Sequence, residues 1–136
     1  MSNSNAVEVD ILTYYFTAGA PMTRPTAWYL SLHTDDPGDT GANEVTTAAA
    51  YTNYARKSVT FAAPTSVDVG PSTTSNTGAV SFPALSGTGV TVTHVGIWTA
   101  LTGGTLLRVG TLAVAKTVAA GEVLSFAIGE VILTEE

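Results

Sequence analysis

Val90-Thr91-Val92-Thr93-His94-Val95-Gly96-Ile97-Trp98, the turn Leu101-Thr102-Gly103-Gly104-Thr105, and then Leu106-Leu107-Arg108-Val109-Gly110-Thr111-Leu112-Ala113-Val114 decide the fold. Branched and aromatic residues alternate with small polar ones on either side of a Gly-Gly turn, the pattern of an antiparallel hairpin. A second turn, Ala119-Ala120-Gly121-Glu122, opens a further strand, Val123–Ile128. The whole stretch from Val90 to Leu133 reads as a β-meander with one face in a core. Leu124, Phe126 and Ile128 share a face of its last strand, which would turn Glu130 inward. A bulge at Gly129-Glu130 restores the register and returns Val131 and Leu133 to the core side.

Upstream, Thr26–His33 is a strand with Trp28, Leu30 and Leu32 on one face and Tyr29, Ser31 and His33 on the other. Thr34–Ala50 is a long loop, Tyr54–Phe61 alternates again, Ser66–Val69 has room for a short strand, and Gly78–Phe82 is a strand stopped by Pro83. The first twenty residues differ in kind. Asn5 with Glu8 resembles a capping box, Val7, Ile11, Tyr14 and Tyr15 recur at helical spacing, and Gly19 with Pro21 supplies a stop. A short amphipathic helix over Ala6–Phe16 is expected, with an extended arm as the competing reading. The expected architecture is therefore all-β: an antiparallel β-sandwich, jelly-roll or Greek-key-like, with a short N-terminal helix or arm. Residues 1–25 form the helical segment and linker, and residues 26–136 the sandwich domain.

Composition narrows the function classes. Charged residues are 12% of the chain, about half the usual share, and Thr, Ser and Gly fill the gap. A surface so poor in charge suits burial against other subunits. A net charge of −6 with only five basic residues argues against nucleic acid as a partner. No apolar run approaches the roughly twenty residues of a membrane span. Met1–Asn5 has neither the basic nor the apolar region of a secretory leader, so none is expected. Cysteine is absent, which removes disulfides and thiolate metal sites.

The densest polar cluster is His33-Thr34-Asp35-Asp36-Pro37-Gly38-Asp39. Asp35, Asp36 and Asp39 are candidate ligands of a divalent ion, but the spacing is not that of an EF-hand, and a loop with Asx-turns is the favoured reading. No Gly-x-Ser-x-Gly elbow frames a serine, and no Lys follows the glycine pairs as in a phosphate loop. An enzyme is not expected, and no cofactor is implied. Tyr51, Tyr54 and Trp98 are the aromatics available to stack on a sugar, with core or subunit packing the favoured alternative. Arg24, Arg56, Lys57 and Arg108 are candidates to pair with acidic groups of a neighbouring subunit, with solvated strand charges that deter edge pairing an equally favoured reading. Val7, Ile11, Tyr14 and Tyr15 are the candidate assembly residues of the helix.

Tyr29–Gly41, Asn43-Glu44-Val45, Tyr54–Phe61, Asn76–Pro83, Val92–Trp98, Thr102–Leu107 and Lys116-Thr117-Val118 before Gly121-Glu122 together resemble a family of small tailed-phage virion proteins. Members are often labelled tail fibre or minor tail protein. The pieces arrive in the family's order and cover nearly all of the chain after Thr26. The insertion Thr46–Tyr51 stands where the family has a shorter link. The resemblance implies a virion structural protein, assembled in a host cytoplasm, without catalytic residues. Partners would be the major capsid protein or tail proteins, and the chain would form a homo-oligomer, with a trimer favoured. A capsid decoration (cement) protein on the outer head surface is the preferred role, because no repeat, heptad or collagen-like shaft is present. A tail-fibre or tail-tip adaptor, or a receptor-binding component, is the alternative, and a small carbohydrate-acting enzyme a remote one.

Overall fold

The hairpin expected from Val90 onward is the centre of the molecule. In the computed structural model, which describes residues 1–66 and 70–135, its two strands are β6 (Val90–Trp98) and β7 (Leu106–Val118). They stand in a five-stranded antiparallel sheet with β1 (Ser2–Asn3), β2 (Trp28–His33) and β3 (Lys57–Val59), in the order β1-β7-β6-β2-β3. Two short ribbons complete the β structure. One pairs β4 (Ser72–Ser75) with β9 (Ile132–Glu135), and the other pairs β5 (Val80–Ser81) with β8 (Ser125–Phe126). The helix, α1, spans Asn5–Phe16. The all-β expectation with an N-terminal helix holds. The short strand expected at Ser66–Val69 falls largely outside the described residues.

Period-2 alternation gives the sheet two faces, and both are buried over its centre. On one face Leu30, Leu32, Val95, Ile97 and Leu107 meet Val80, Phe82, Leu124, Phe126 and Val131 of the ribbon segments in a single apolar core. The other face carries Ser31, His33, Gly96, Trp98 and Leu106, all buried under the loops that follow β2 and β6. Leu30 and Ser31 are both fully excluded from water, so β2 is a strand with an apolar core on one side and a polar one on the other.

Three details depart from the expected elements. Val123–Leu133 is not one bulged strand. Gly129 takes a left-handed φ of 81°, the Glu130 amide closes a turn onto the Ala127 carbonyl at 3.1 Å, and the chain leaves β8 to pair with a different partner as β9. Val131 is still buried and Leu133 packs on the core, but Ile128 is 68% exposed. β7 is longer than expected because it bulges: Val92 pairs with Lys116 and His94 with Thr111, so Thr93 alone faces Leu112–Ala115 and Val114 is thrown outward. Finally, the helix cap is Ser4 and not Asn5. Ser4 sits where β1 enters the sheet, so its hydroxyl donates to the Leu106 carbonyl at 2.6 Å and caps nothing. The Asn5 amide, one of the helix's free donors, is taken up at 3.2 Å by the Asp39 carboxylate from the loop.

The two ribbons are clasped by one buried side chain. Asn76 donates to the Gly78 and Ala127 carbonyls at 2.8 and 2.9 Å and accepts the Val131 amide at 2.8 Å. Asn76→Ala leaves buried carbonyls and an amide without partners, which should cost about 2–4 kcal/mol of stability. Urea unfolding followed by tryptophan fluorescence measures that loss.

Candidate functional site

The densest polar chemistry of the chain lies on the second face of the sheet, centred on Arg56. The residue precedes β3, and its guanidinium is only 8% exposed. Nε and Nη2 grip the Glu44 carboxylate at 2.8 and 2.7 Å, the bidentate fork for which arginine geometry is suited. Nη1 donates to the Ala100 and Gly103 carbonyls at 3.0 and 2.7 Å, and the guanidinium lies 3.7 Å above the Trp98 ring. Tyr54 adds its hydroxyl to Glu44 at 2.9 Å and accepts the Leu32 amide at 3.0 Å. Burial, reinforced by the adjacent Glu44 carboxylate, pushes the Tyr54 phenol far above its ordinary range and keeps it a donor.

Beneath Trp98 the polar chain continues into β2. The His33 Nδ1 lies 2.7 Å from the Ala42 carbonyl, which can only accept, so Nδ1 carries the proton and Nε2 is free to accept. Ser31 donates to that nitrogen at 2.7 Å, and the Trp98 indole N–H donates to Ser31 at 2.8 Å. The Ser31 hydroxyl thus links the indole to the imidazole, with the Gly96 carbonyl a more distant acceptor at 3.3 Å. Two glycines make room for it. A Cβ on Gly96 would come within 2.7 Å of Ser31 Oγ, and one on Gly41 within 2.3 Å of the Trp98 ring, at a φ of 75° that disfavours side chains in any case.

A serine and a histidine at 2.7 Å invite comparison with a hydrolase. Here both residues are fully buried, the imidazole leans on a backbone carbonyl where a triad has a carboxylate, and the hydroxyl already accepts from Trp98. The arrangement joins a strand to its covering loops and presents no nucleophile.

The sequence-derived candidates divide cleanly. Arg56 and Arg108 are corrected: neither is a free surface cation. Arg56 is spent on Glu44 and Trp98. Arg108 donates to the Thr134 carbonyl at 2.8 Å and pairs with Glu135, tying β9 to β7, while burial lowers its pKa. Asp36 accepts the Gly38 amide at 2.9 Å as an Asx-turn, Asp35 accepts the neighbouring Asp36 amide at 2.8 Å, and Asp39 serves the helix. No three His, Asp or Glu side chains converge as a metal cage among the described residues. Tyr51, Tyr54 and Trp98 are at most 8% exposed and offer no platform for a sugar. Arg24 is exposed and Lys57 partly so.

The helix supplies the surface that remains. α1 buries none of its residues, and its less exposed positions are Val7, Asp10 and Thr13. Its large apolar side chains face outward: Val9 63%, Leu12 58%, Tyr14 65%, Tyr15 70% and Phe16 78% exposed, with Ile11 at 37%. The helix therefore has no distinct apolar face: Val7 packs on the core, while Ile11, Tyr14 and Tyr15 are exposed. Asp10 turns inward because its carboxylate accepts the Met22 amide, which folds the following linker back along the helix.

Two outcomes test the buried network. Arg56→Ala strands the Glu44 carboxylate and should cost about 3–5 kcal/mol, whereas Arg56→Ala with Glu44→Ala should cost less than the two single losses combined; denaturant titration of the three variants measures this. Burial holds the His33 imidazole below its ordinary value of 6.5, outweighing the raising effect of the Ala42 carbonyl. The unfolded chain therefore takes up a proton near pH 6.5 that the folded chain refuses. This contribution to stability is whole above about pH 6.5 and is lost as pH falls below it, by at most about 1.4 kcal/mol per pH unit. The slope between pH 6.5 and 5 should be shallower in His33→Gln.

Comparison with known families places these observations. The family model described as podophage GP4 fiber I protein gp80 matches residues 2–134. No curated protein matches the chain. The match supports a tail fibre over the head-decoration role expected from sequence, whose ground was the missing shaft. A fibre can share its architecture among several proteins, so a chain without a shaft pattern is no argument against it. Edge to edge, from β1 to β9, the chain belongs to the podophage GP4 fibre I protein gp80 family and is a structural protein of the phage virion.

Proposed function

We propose that this chain is a tail-fibre subunit that acts as a structural adaptor, joining other fibre or tail proteins through surfaces outside its β domain. The observation that carries the reading is the family match over residues 2–134, which includes the N-terminal helix as well as the sheet. The chemistry of the site supports it. Arg56, Glu44, Ser31 and His33 are consumed in holding loops to the sheet, and Tyr51, Tyr54 and Trp98 are packed inside. What the chain offers outward is the apolar α1, the exposed Arg24 and the Thr-rich strands.

An adaptor needs a rigid module that carries its association surface in a fixed direction. The buried Arg56 and His33 networks supply that rigidity, because breaking any one link strands a buried polar partner. β1 fixes the root of the helix: the Ser4 amide and hydroxyl are both bonded to β7, at 3.0 and 2.6 Å. The division into a segment of residues 1–25 and a domain of residues 26–136 then becomes functional: the first presents, the second supports.

Quantitative mass spectrometry of purified virions, with antibody labelling of the same particles, tests this role. Copies numbering a few dozen or fewer, with label at the tail, are expected. Hundreds of copies with label over the head would return the chain to capsid decoration.

A further inference from the structure

We infer that α1 is a self-association surface, and that its occupant is the same helix from other copies of this chain. Val9, Leu12, Tyr15 and Phe16 lie at i, i+3, i+6 and i+7, the spacing of a seam that packs helix on helix, and all four point away from their own domain. The inward positions include Asp10 and Thr13, the polar side of the helix. A twelve-residue helix is marginal in water on propensity alone and draws its stability from packing. Within one copy α1 receives little: none of its residues is buried, and Val7 alone of its apolar side chains packs on the core.

Charge selects the partner. The chain carries a net −6, so two copies repel unless they meet where charge is missing. Ile11 to Thr23 is such a place: it contains no Asp, Glu, Lys or Arg, and of the helix's two carboxylates Asp10 is tied to the Met22 amide. Glu8 stands at the N-terminal end of the seam, one turn before Leu12; beyond it the seam holds no basic or acidic group, offers nothing for a charged partner to pair with, and is complementary to itself.

Area agrees. At about 150–250 Å² per aromatic side chain, the exposed fractions of Tyr14, Tyr15 and Phe16 leave roughly 300–550 Å² uncovered. Val9, Leu12 and Ile11 add to this apolar surface, an area below the roughly 800 Å² per partner of a standard interface and suited to a small one. The aromatics already cluster, with Tyr14 and Tyr15 edge to face at 4.8 Å. This inference deepens the adaptor reading and takes from it only the place of assembly.

The absence of cysteine makes the test clean. Light scattering on the purified full chain should give an oligomer, and Val9→Glu with Leu12→Glu and Phe16→Glu should give a monomer with an unchanged β-domain melt. Leu12→Cys alone should form a reducible cross-link between copies on mild oxidation, whereas Thr13→Cys, on the inward side, should not. Two results overturn the inference: a wild-type chain monomeric at high micromolar concentration, or an oligomer that persists in the triple variant while Leu12→Cys stays uncross-linked. A helix seated in a neighbour's β-domain groove would show as the second result. A monomeric chain that still labels the tail would remove self-pairing and leave the adaptor role standing. If the triple variant fails to fold, the Leu12→Cys and Thr13→Cys pair decides.

Discussion

The Arg56 guanidinium holds together the parts of this protein that have no regular structure. One side chain grips Glu44 from the long loop after β2, lies on Trp98 at the end of β6, and bonds two carbonyls in the turn before β7. Removing a charge from water is costly, and the cost is met only because four of the five N–H groups are satisfied and the counter-ion is bidentate. The same constraint explains Tyr54, which completes the Glu44 oxygens, and the Trp98–Ser31–His33 string, which satisfies the indole underneath. A sheet of this size would ordinarily keep one face wet. Here the second face is sealed by loops, and the seal is electrostatic where the first face is apolar.

What could be read in advance follows the range of the physics involved. Strand alternation is local, so β2, β6, the start of β7 and the facing of Leu30 against Ser31 were legible residue by residue. Turn chemistry is also local, and the Asp35–Asp39 loop holds an Asx-turn at Asp36. Arg56 was not legible: a basic residue beside a tyrosine on an alternating strand reads as solvated, and nothing nearby names Glu44, twelve positions away, or the Ala100 carbonyl, 44 away. Arg108 hid for the same reason, its partner Glu135 lying on the last strand. One signal was available: Gly96 between His94 and Trp98 marks a close approach, and the groups that approach are Ser31 and His33.

α1 is a different case. Helical spacing gives its limits almost correctly and groups Val7, Ile11, Tyr14 and Tyr15 as one set of assembly candidates. The structure splits that set, with Val7 resting on the core and Ile11, Tyr14 and Tyr15 exposed, because β1 roots the helix and the Asp10–Met22 contact fixes which side meets the chain. A helix with large hydrophobics outward belongs to an assembly and not to a free domain. The low charge takes its meaning here: the uncharged stretch Ile11–Thr23 begins in the helix, whose large apolar side chains are exposed. Rigidity is internal and polar; association is external and apolar.

Cryo-electron microscopy of the intact virion tests both halves at once. The expected result is density for the β domain on a tail fibre, with α1 enclosed by the same helix of sibling copies and Arg56 buried as described. Density on the head shell, or on a fibre with α1 standing free in solvent, would contradict it.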